Sequence, residues 1–240
     1  MKNQYFGDIN DYKKFGLLRS ISSAYNINTL IAWMLTPNDG STDGKFTEYL
    51  NEPTKWNNYD PILYQELVSL LNDNDTRRVS LIENSNVLSN TQYYSNYVTD
   101  SANDRDAWLA SLLEQSNKSD LVFLDPDNGL EISSIGYGRS KSSKYLFWKE
   151  VSALWAAGKS VLIYQHFIRE KREVFIRRML DALSQKTEGS LVEAFSTSNV
   201  VFLMALQPHH QAFHKPLIQA VQASWKDQIK VFSCVGQGRF

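Results

Sequence analysis

The chain carries a single cysteine, Cys234, in 240 residues. One thiol excludes an intramolecular disulfide framework and a cysteine-rich zinc site, and it suits a reducing cytoplasm. No apolar run approaches the roughly 20 residues of a membrane-spanning helix. The opening Met1-Lys2-Asn3-Gln4-Tyr5 is polar and lacks the apolar centre of a signal peptide. A cytoplasmic protein without a membrane partner is the expectation. Charge of one sign is also lacking: 25 basic and 26 acidic side chains leave a net charge of -1. No global excess demands nucleic acid, although a local basic patch remains open. Repeats, long charge runs and linker-like stretches are absent. So are a GxGxxG fingerprint and a legible Ser-His-Asp or Cys-His triad; Cys234, in the last expected strand, reads as packing rather than as a nucleophile.

Apolar residues make up 42% of the chain and aromatic residues 12%, ample core for one α/β domain over 1–240. An N-terminal helical segment covers 1–26, with Tyr12, Phe15, Leu18, Ile21 and Tyr25 on one stripe. Strands are expected at Thr29–Leu35, Arg78–Glu83, Asp120–Leu124, Ser160–Gln165, Leu191–Phe195, Val200–Leu206 and Ile229–Ser233. Helices are expected from Asp60-Pro61 to Leu71, and over Asp104–Glu114, Tyr145–Ala157, Arg169–Leu183 and Lys215–Ser224. Residues 84–103 are rich in Asn, Ser and Tyr and carry no clear period. Residues 132–143, with two glycines and five serines, read as a mobile loop. The alternation predicts a doubly wound, mainly parallel sheet of about seven strands, with an antiparallel edge where the last strands follow one another closely.

The apolar run Leu121–Leu124 leads straight into Asp125-Pro126-Asp127-Asn128-Gly129. In an open α/β sheet, ligands bind at the carboxyl ends of the strands, and carboxylates beside buried strands are costly without a partner. Asp125, Asp127 and Asn128 are therefore candidate catalytic residues. Three readings stand side by side: a cofactor-and-substrate turn, a divalent-metal site of the Asp-x-Asp kind used by nucleases and nucleotidyl or glycosyl transferases, and a capped structural turn. His166 follows a neighbouring buried strand and is a candidate proton carrier or a hydrogen-bonded structural histidine. Asp39, Gly40 and Gly44 lie in a polar loop after the first strand, where backbone can approach a nucleotide or a methionine tail. Glu83, at an expected strand end, can accept both hydroxyls of a ribose. Basic residues cluster at Arg139, Lys141 and Lys144, where phosphates of RNA or DNA could be met, and at Arg169, Lys171, Arg172, Arg177 and Arg178, where a solvated helix face balanced by Glu170 and Glu173 is the favoured reading over phosphate contact. His210 and His214 have metal-ligand spacing but no fixed third ligand, and a loop or helix start is favoured there.

Tyr5-Phe6-Gly7-Asp8-Ile9-Asn10-Asp11-Tyr12-Lys13-Lys14 resembles the opening segment of Rossmann-like S-adenosylmethionine-dependent methyltransferases. The closer similarity is to the J-type ribosomal RNA large-subunit adenine methyltransferases, and the more distant one to three-Cys-motif partner proteins. The resemblance implies S-adenosylmethionine as cofactor, with Lys14 holding it, Glu83 on the ribose and Asp104 near the adenine. It also places Asp125-Pro126 on the first half of the family's Asp-Pro-Pro-Tyr. The second half departs: Asp127 replaces a proline and Asn128 the aromatic that stacks on the base. Methyl transfer to a nucleic acid is the expected function. A metal-dependent enzyme using Asp125 and Asp127, and a non-catalytic nucleic-acid-binding or regulatory protein on a decayed methyltransferase fold, remain as alternatives.

Overall fold

The computed structural model describes residues 1–40, 44–74 and 76–233. In chain order the main elements are α1 (Ile9–Ala24), β1 (Thr29–Ala32), α2 (Pro53–Trp56), α3 (Pro61–Asn72), α4 (Ser80–Glu83), β2 (Thr91–Tyr94), α5 (Ala102–Gln115), β3 (Leu121–Leu124), β4 (Gly129–Leu130), β5 (Tyr145–Leu146), α6 (Trp148–Ala156), β6 (Ser160–His166), α7 (Arg172–Lys186), β7 (Leu191–Ser196), β8 (Val200–Leu206), α8 (His214–Trp225) and β9 (Lys230–Ser233). Seven strands form one mixed sheet in the order β2-β1-β3-β6-β8-β7-β9, and β4 and β5 pair separately.

β2, β1, β3 and β6 are parallel neighbours, with Ile31 opposite Phe123 and Phe123 opposite Leu162. Their side chains alternate between two buried layers. Ile31, Phe123, Leu162 and Tyr164 face a core shared with α1, α3 and α8; Leu30, Val122, Leu124 and Ile163 face one shared with α5, α6 and α7. Burial on both faces explains why these strands read as unbroken apolar runs rather than as alternating ones. β8 runs antiparallel between β6 and β7, and β9 antiparallel beside β7. The Thr197–Asn199 connection is too short for a crossover, so β7 and β8 can pair only as a hairpin. Thr197 closes it, its amide donating to the Val200 carbonyl and its hydroxyl accepting from the Val200 amide.

One expected strand is not there. Arg78–Glu83 contains the four-residue helix α4, and the edge strand is Thr91–Tyr94, inside the stretch that showed no period. Leu81 and Ile82 are both buried although adjacent in sequence, which a strand with one exposed face does not allow. A window this short cannot separate a buried strand from a buried helical turn. Cys234 and Ser41–Asp43 lie outside the described residues. The expected loop at 132–143 is held against α5: Asp100 accepts from the amides of Lys141 and Ser143, and Tyr137 donates to Asp106. No helix of the described residues is long and apolar enough to cross a membrane.

α1 is the element that positions the site, and its seat is a glycine. A Cβ on Gly16 would fall 2.1 Å from the Trp225 ring of α8. An indole locked in a core cannot move aside cheaply. Gly16→Ala is expected to destabilise the protein by about 1–3 kcal/mol, read as a lower urea midpoint with an unchanged slope.

Candidate functional site

Two neighbouring parallel strands, β3 and β6, end at a cleft of about 470 Å³. Met1, Asp8, Asp11, Lys14, Gly44, Phe46, Asp125, Asp127, Asn128, Tyr164 and His166 are among the residues that line it. The α1 sequence explains how its charges arrive there. Asp8 is the N-cap of α1, accepting from the amides of Asn10 and Asp11. Asp11 and Lys14 follow at intervals of three, which stacks them on one face of the helix. That face meets the end of β3.

Lys14 Nζ is fully enclosed and lies 2.6 Å from Asp11 Oδ1 and 2.6 Å from Asp125 Oδ2. The second oxygen of Asp11 accepts from the Gly7 amide at 2.8 Å. Burial opposes the Lys14 charge, but two carboxylates in contact outweigh it and raise its pKa. Burial pushes the Asp125 carboxyl up in spite of Lys14. These shifts pull the pair in opposite directions; with two acids on one ammonium, the ionised pair is the state the geometry supports.

Asp127 is neutralised from another side. The Met1 amino group lies 2.6 Å from its Oδ1, and Thr36 donates to Oδ2 at 2.6 Å. The same Met1 nitrogen donates to the carbonyls of Met34 and Asp125. Burial works against ionisation of Asp127, yet Met1 and Thr36 hold its pKa below the usual value. The turn that presents both acids is fixed from behind. Gly129 has φ +105°, and a Cβ there would fall 2.5 Å from the Gln165 amide. Gln165 Oε1 accepts from the Leu130 amide, locking the turn to β6.

His166 stands at the cleft lip with its ring edge-on to Tyr164, centroids 5.1 Å apart. Lost hydration, followed by the nearby Lys14 charge, lowers its pKa, so it is neutral at pH 7. Asn128 is exposed at the same lip.

The cleft gathers Lys14, Gly44, Asp125, Asp127, Asn128 and His166 from the expected set, and leaves four others out. Glu83 ends a helix rather than a strand; it accepts from Trp33 Nε1 and the Ser95 hydroxyl and borders a separate polar groove with Asn28 and Asn90. Asp104 is exposed in the first turn of α5. Asp39 pairs with Lys2, and Gly40 is exposed beyond it. Neither lines the cleft. Among the lining residues that escaped the sequence reading as site residues are Asp8, Asp11 and Tyr164. The spacing Asp8-x-x-Asp11-x-x-Lys14 was the available signal for the first two. Among the described residues, no group of three His, Cys, Asp or Glu side chains is placed to hold a metal ion. Asp125 turns an oxygen to the Lys14 ammonium and Asp127 one to the Met1 amino group, whose pKa burial lowers, and a divalent ion would have to displace both.

No protein-family model matches this chain. Nor does any curated protein. Among solved structures, the chain is similar to the crystal structure of protein LPL1258 from Legionella pneumophila, family model DUF519, at 12% identity. That likeness covers 97% of this chain and 98% of the other, with a TM-score of 0.44.

Two outcomes test the charge arrangement. Lys14→Met leaves Asp11 and Asp125 buried without their cation and is expected to cost about 3–5 kcal/mol in urea unfolding. The second concerns Asp8, whose pKa is pushed up to about 6, first by burial and then by Asp11. A carboxyl raised in the folded state above its ordinary 3.8 stabilises the fold below that value. The contribution is lost as pH climbs through about 6. Asn caps a helix as well as Asp. Asp8→Asn should therefore melt higher relative to the parent at pH 8 than at pH 4, by thermal scans at both.

Proposed function

We propose that this chain is an S-adenosylmethionine-dependent methyltransferase with a Rossmann-like fold, and that its acceptor is a polar group on a nucleic acid. The observation that carries the reading is the Lys14–Asp125 pair, 2.6 Å apart in a cleft where the parallel strands β3 and β6 end. That is the position at which open α/β sheets receive nucleotides.

The lining suits the cofactor's chemistry. Tyr5, Phe46 and Phe167 offer flat apolar surface to a base, and the cleft volume lies in the range of small-molecule sites. Four carboxylates, Asp8, Asp11, Asp125 and Asp127, stand against Lys14 and the Met1 amino group, so the cleft favours a positively charged ligand. Bound there, the cofactor supplies an electrophilic methyl group. The chain's own part is placement. Lys14 and Asp11 hold the Asp125 carboxylate in one orientation, and Asp125 accepts a hydrogen bond from the acceptor. Asn128 presents its amide at the lip. Neutral His166 takes up the proton that a methylated amine sheds. Holding acceptor and methyl group in line supplies much of the rate. The nucleic-acid class is supported by Arg169, Lys171 and Arg172, exposed just beyond Phe167, where they can meet phosphates.

Titration calorimetry with S-adenosylmethionine tests the reading, and an absence of heat at millimolar ligand would count it out. Asp125→Asn is expected to cut methyl transfer to RNA at least 100-fold while the melting curve stays cooperative.

A further inference from the structure

Two consecutive lysines of α1 meet different neighbours. Successive helix positions point about 100° apart, so while Lys14 turns to the end of β3, Lys13 turns to the Thr197–Asn199 link between β7 and β8. Lys13 is 3% exposed and makes no ion pair among the described residues. Its Nζ has one hydrogen-bond partner there, the hydroxyl of exposed Ser198 at 3.4 Å, beyond the usual range for a nitrogen donor. Its stem passes Trp56, with Nζ 5.7 Å from the ring centroid. An ammonium group has three donors, and enclosing one without an anion is costly. Burial lowers the pKa of this ammonium, and the field of Asp8 only partly opposes it.

Arg172 reaches the same serine from α7. Its Nη2 donates to the Ser198 carbonyl, and its guanidinium lies 4.9 Å from the ring centroid of Phe167, a residue of the cleft wall. Two contacts thus hold an exposed head in place, yet no carboxylate pairs with it among the described residues. Of the acids beside it in sequence, Glu170 is taken by Arg178, and Glu173 is exposed and in no ion pair among the described residues. α7 begins at Arg172 without a side-chain cap, which leaves the positive pole of the helix open there. The turn borders the cleft: Asn199 donates at 3.2 Å to the side chain of Asn10, which lines it.

We propose that Lys13 and Arg172 together grip one phosphate group over Ser198, beside the cleft and outside its ring of acids. A phosphate brings the negative charge and the strong acceptors that the Lys13 ammonium lacks. Its oxygens match the fork of a guanidinium, and the exposed Ser198 hydroxyl can donate to one of them. A neutral ligand would leave the enclosed ammonium without counter-charge. The proposal rests on the nucleic-acid reading given above and adds the place where the strand is held. The phosphate has two sources: a phosphodiester of the acceptor strand, or phosphate that is free or carried by a small molecule.

Fluorescence anisotropy of the full chain with a short labelled oligoadenylate, over a series of KCl concentrations, tests the site. On single strands each neutralised phosphate adds about 0.7 to the steepness of log K against log salt. Lys13→Met, which keeps the stem over Trp56, and Arg172→Gln are each expected to weaken binding about tenfold and to flatten that slope by about 0.7. Because the two cations share one phosphate, the double variant should flatten it no further. Lys226→Met, at an exposed lysine just after α8, is the control and should leave the slope unchanged. RNA binding whose strength and slope ignore both substitutions overturns the proposal and leaves the nucleic-acid reading standing. Slope changes that add in the double variant put the cations on separate phosphates and overturn it too. If the RNA does not bind, calorimetry with millimolar inorganic phosphate decides. Heat that both variants lose keeps the phosphate site and removes the nucleic-acid acceptor, and absence of heat removes both. Cofactor binding is read separately: Lys13 does not line the cleft, so Lys13→Met should titrate with S-adenosylmethionine as the parent does. Arg172 is exposed, so its variant decides the matter even if Lys13→Met fails to fold.

Discussion

The contact on which this structure turns is the Lys14 ammonium held between Asp11 and Asp125. It joins the first helix to the end of a central strand over a sequence separation of 111 residues. None of the three groups could be enclosed alone, since an unpaired charge away from water costs several kcal/mol. Together they can be buried, and the cost of their desolvation demands that α1 lie in one orientation over the sheet. Gly16 against Trp225 sets how deeply the helix seats; the ion pair sets how it is turned.

Around that pair the cleft is arranged as a ring of partly cancelled charge. Asp11 and Asp125 share Lys14, while Asp127 takes the Met1 amino group and the Thr36 hydroxyl. The balance is left negative at Asp8. Such a site differs from a phosphate cradle, which gathers backbone amides and basic side chains. The basic residues Arg169, Lys171 and Arg172 lie outside the cleft lining, interleaved with Glu170 and Glu173.

Rigidity behind the site comes from buried polar contacts. Arg105 makes a two-pronged pair with Glu150, 2.6 and 2.9 Å, and also donates to the Tyr145 carbonyl. The guanidinium lies near the rings of Trp108 and Phe147. This ties α5 to α6 and to the segment that brings β5 beside β4. β4 in turn begins at the glycine that closes the acidic turn. The placement of Asp125 and Asp127 is thus supported in front by Lys14 and Met1, and behind by Gln165 and the β4–β5 pair.

Much of this architecture was legible in the residues because its signals are local. The unbroken apolar runs at β3, β6 and β8 needed burial on both faces, the Asp60-Pro61 cap and first-turn proline opened α3, and the short link from β7 to β8 permitted only a hairpin. The acidic turn after Leu124 could be assigned to a sheet edge for the same reason. The N-terminal helix could be read too, and so could Lys14 as a candidate. What the linear chain could not decide was which charges meet. Glu83 has the chemistry of a ribose-binding acid, but its segment coils into a helical turn that so short a window does not distinguish from a buried strand. Lys14 and Asp125 stand 111 positions apart, on a helix and at a strand end that meet only once the sheet is assembled. Pairing, burial and the leftover charge at Asp8 depend on three-dimensional proximity, and proximity is settled by packing rather than by any spacing along the chain.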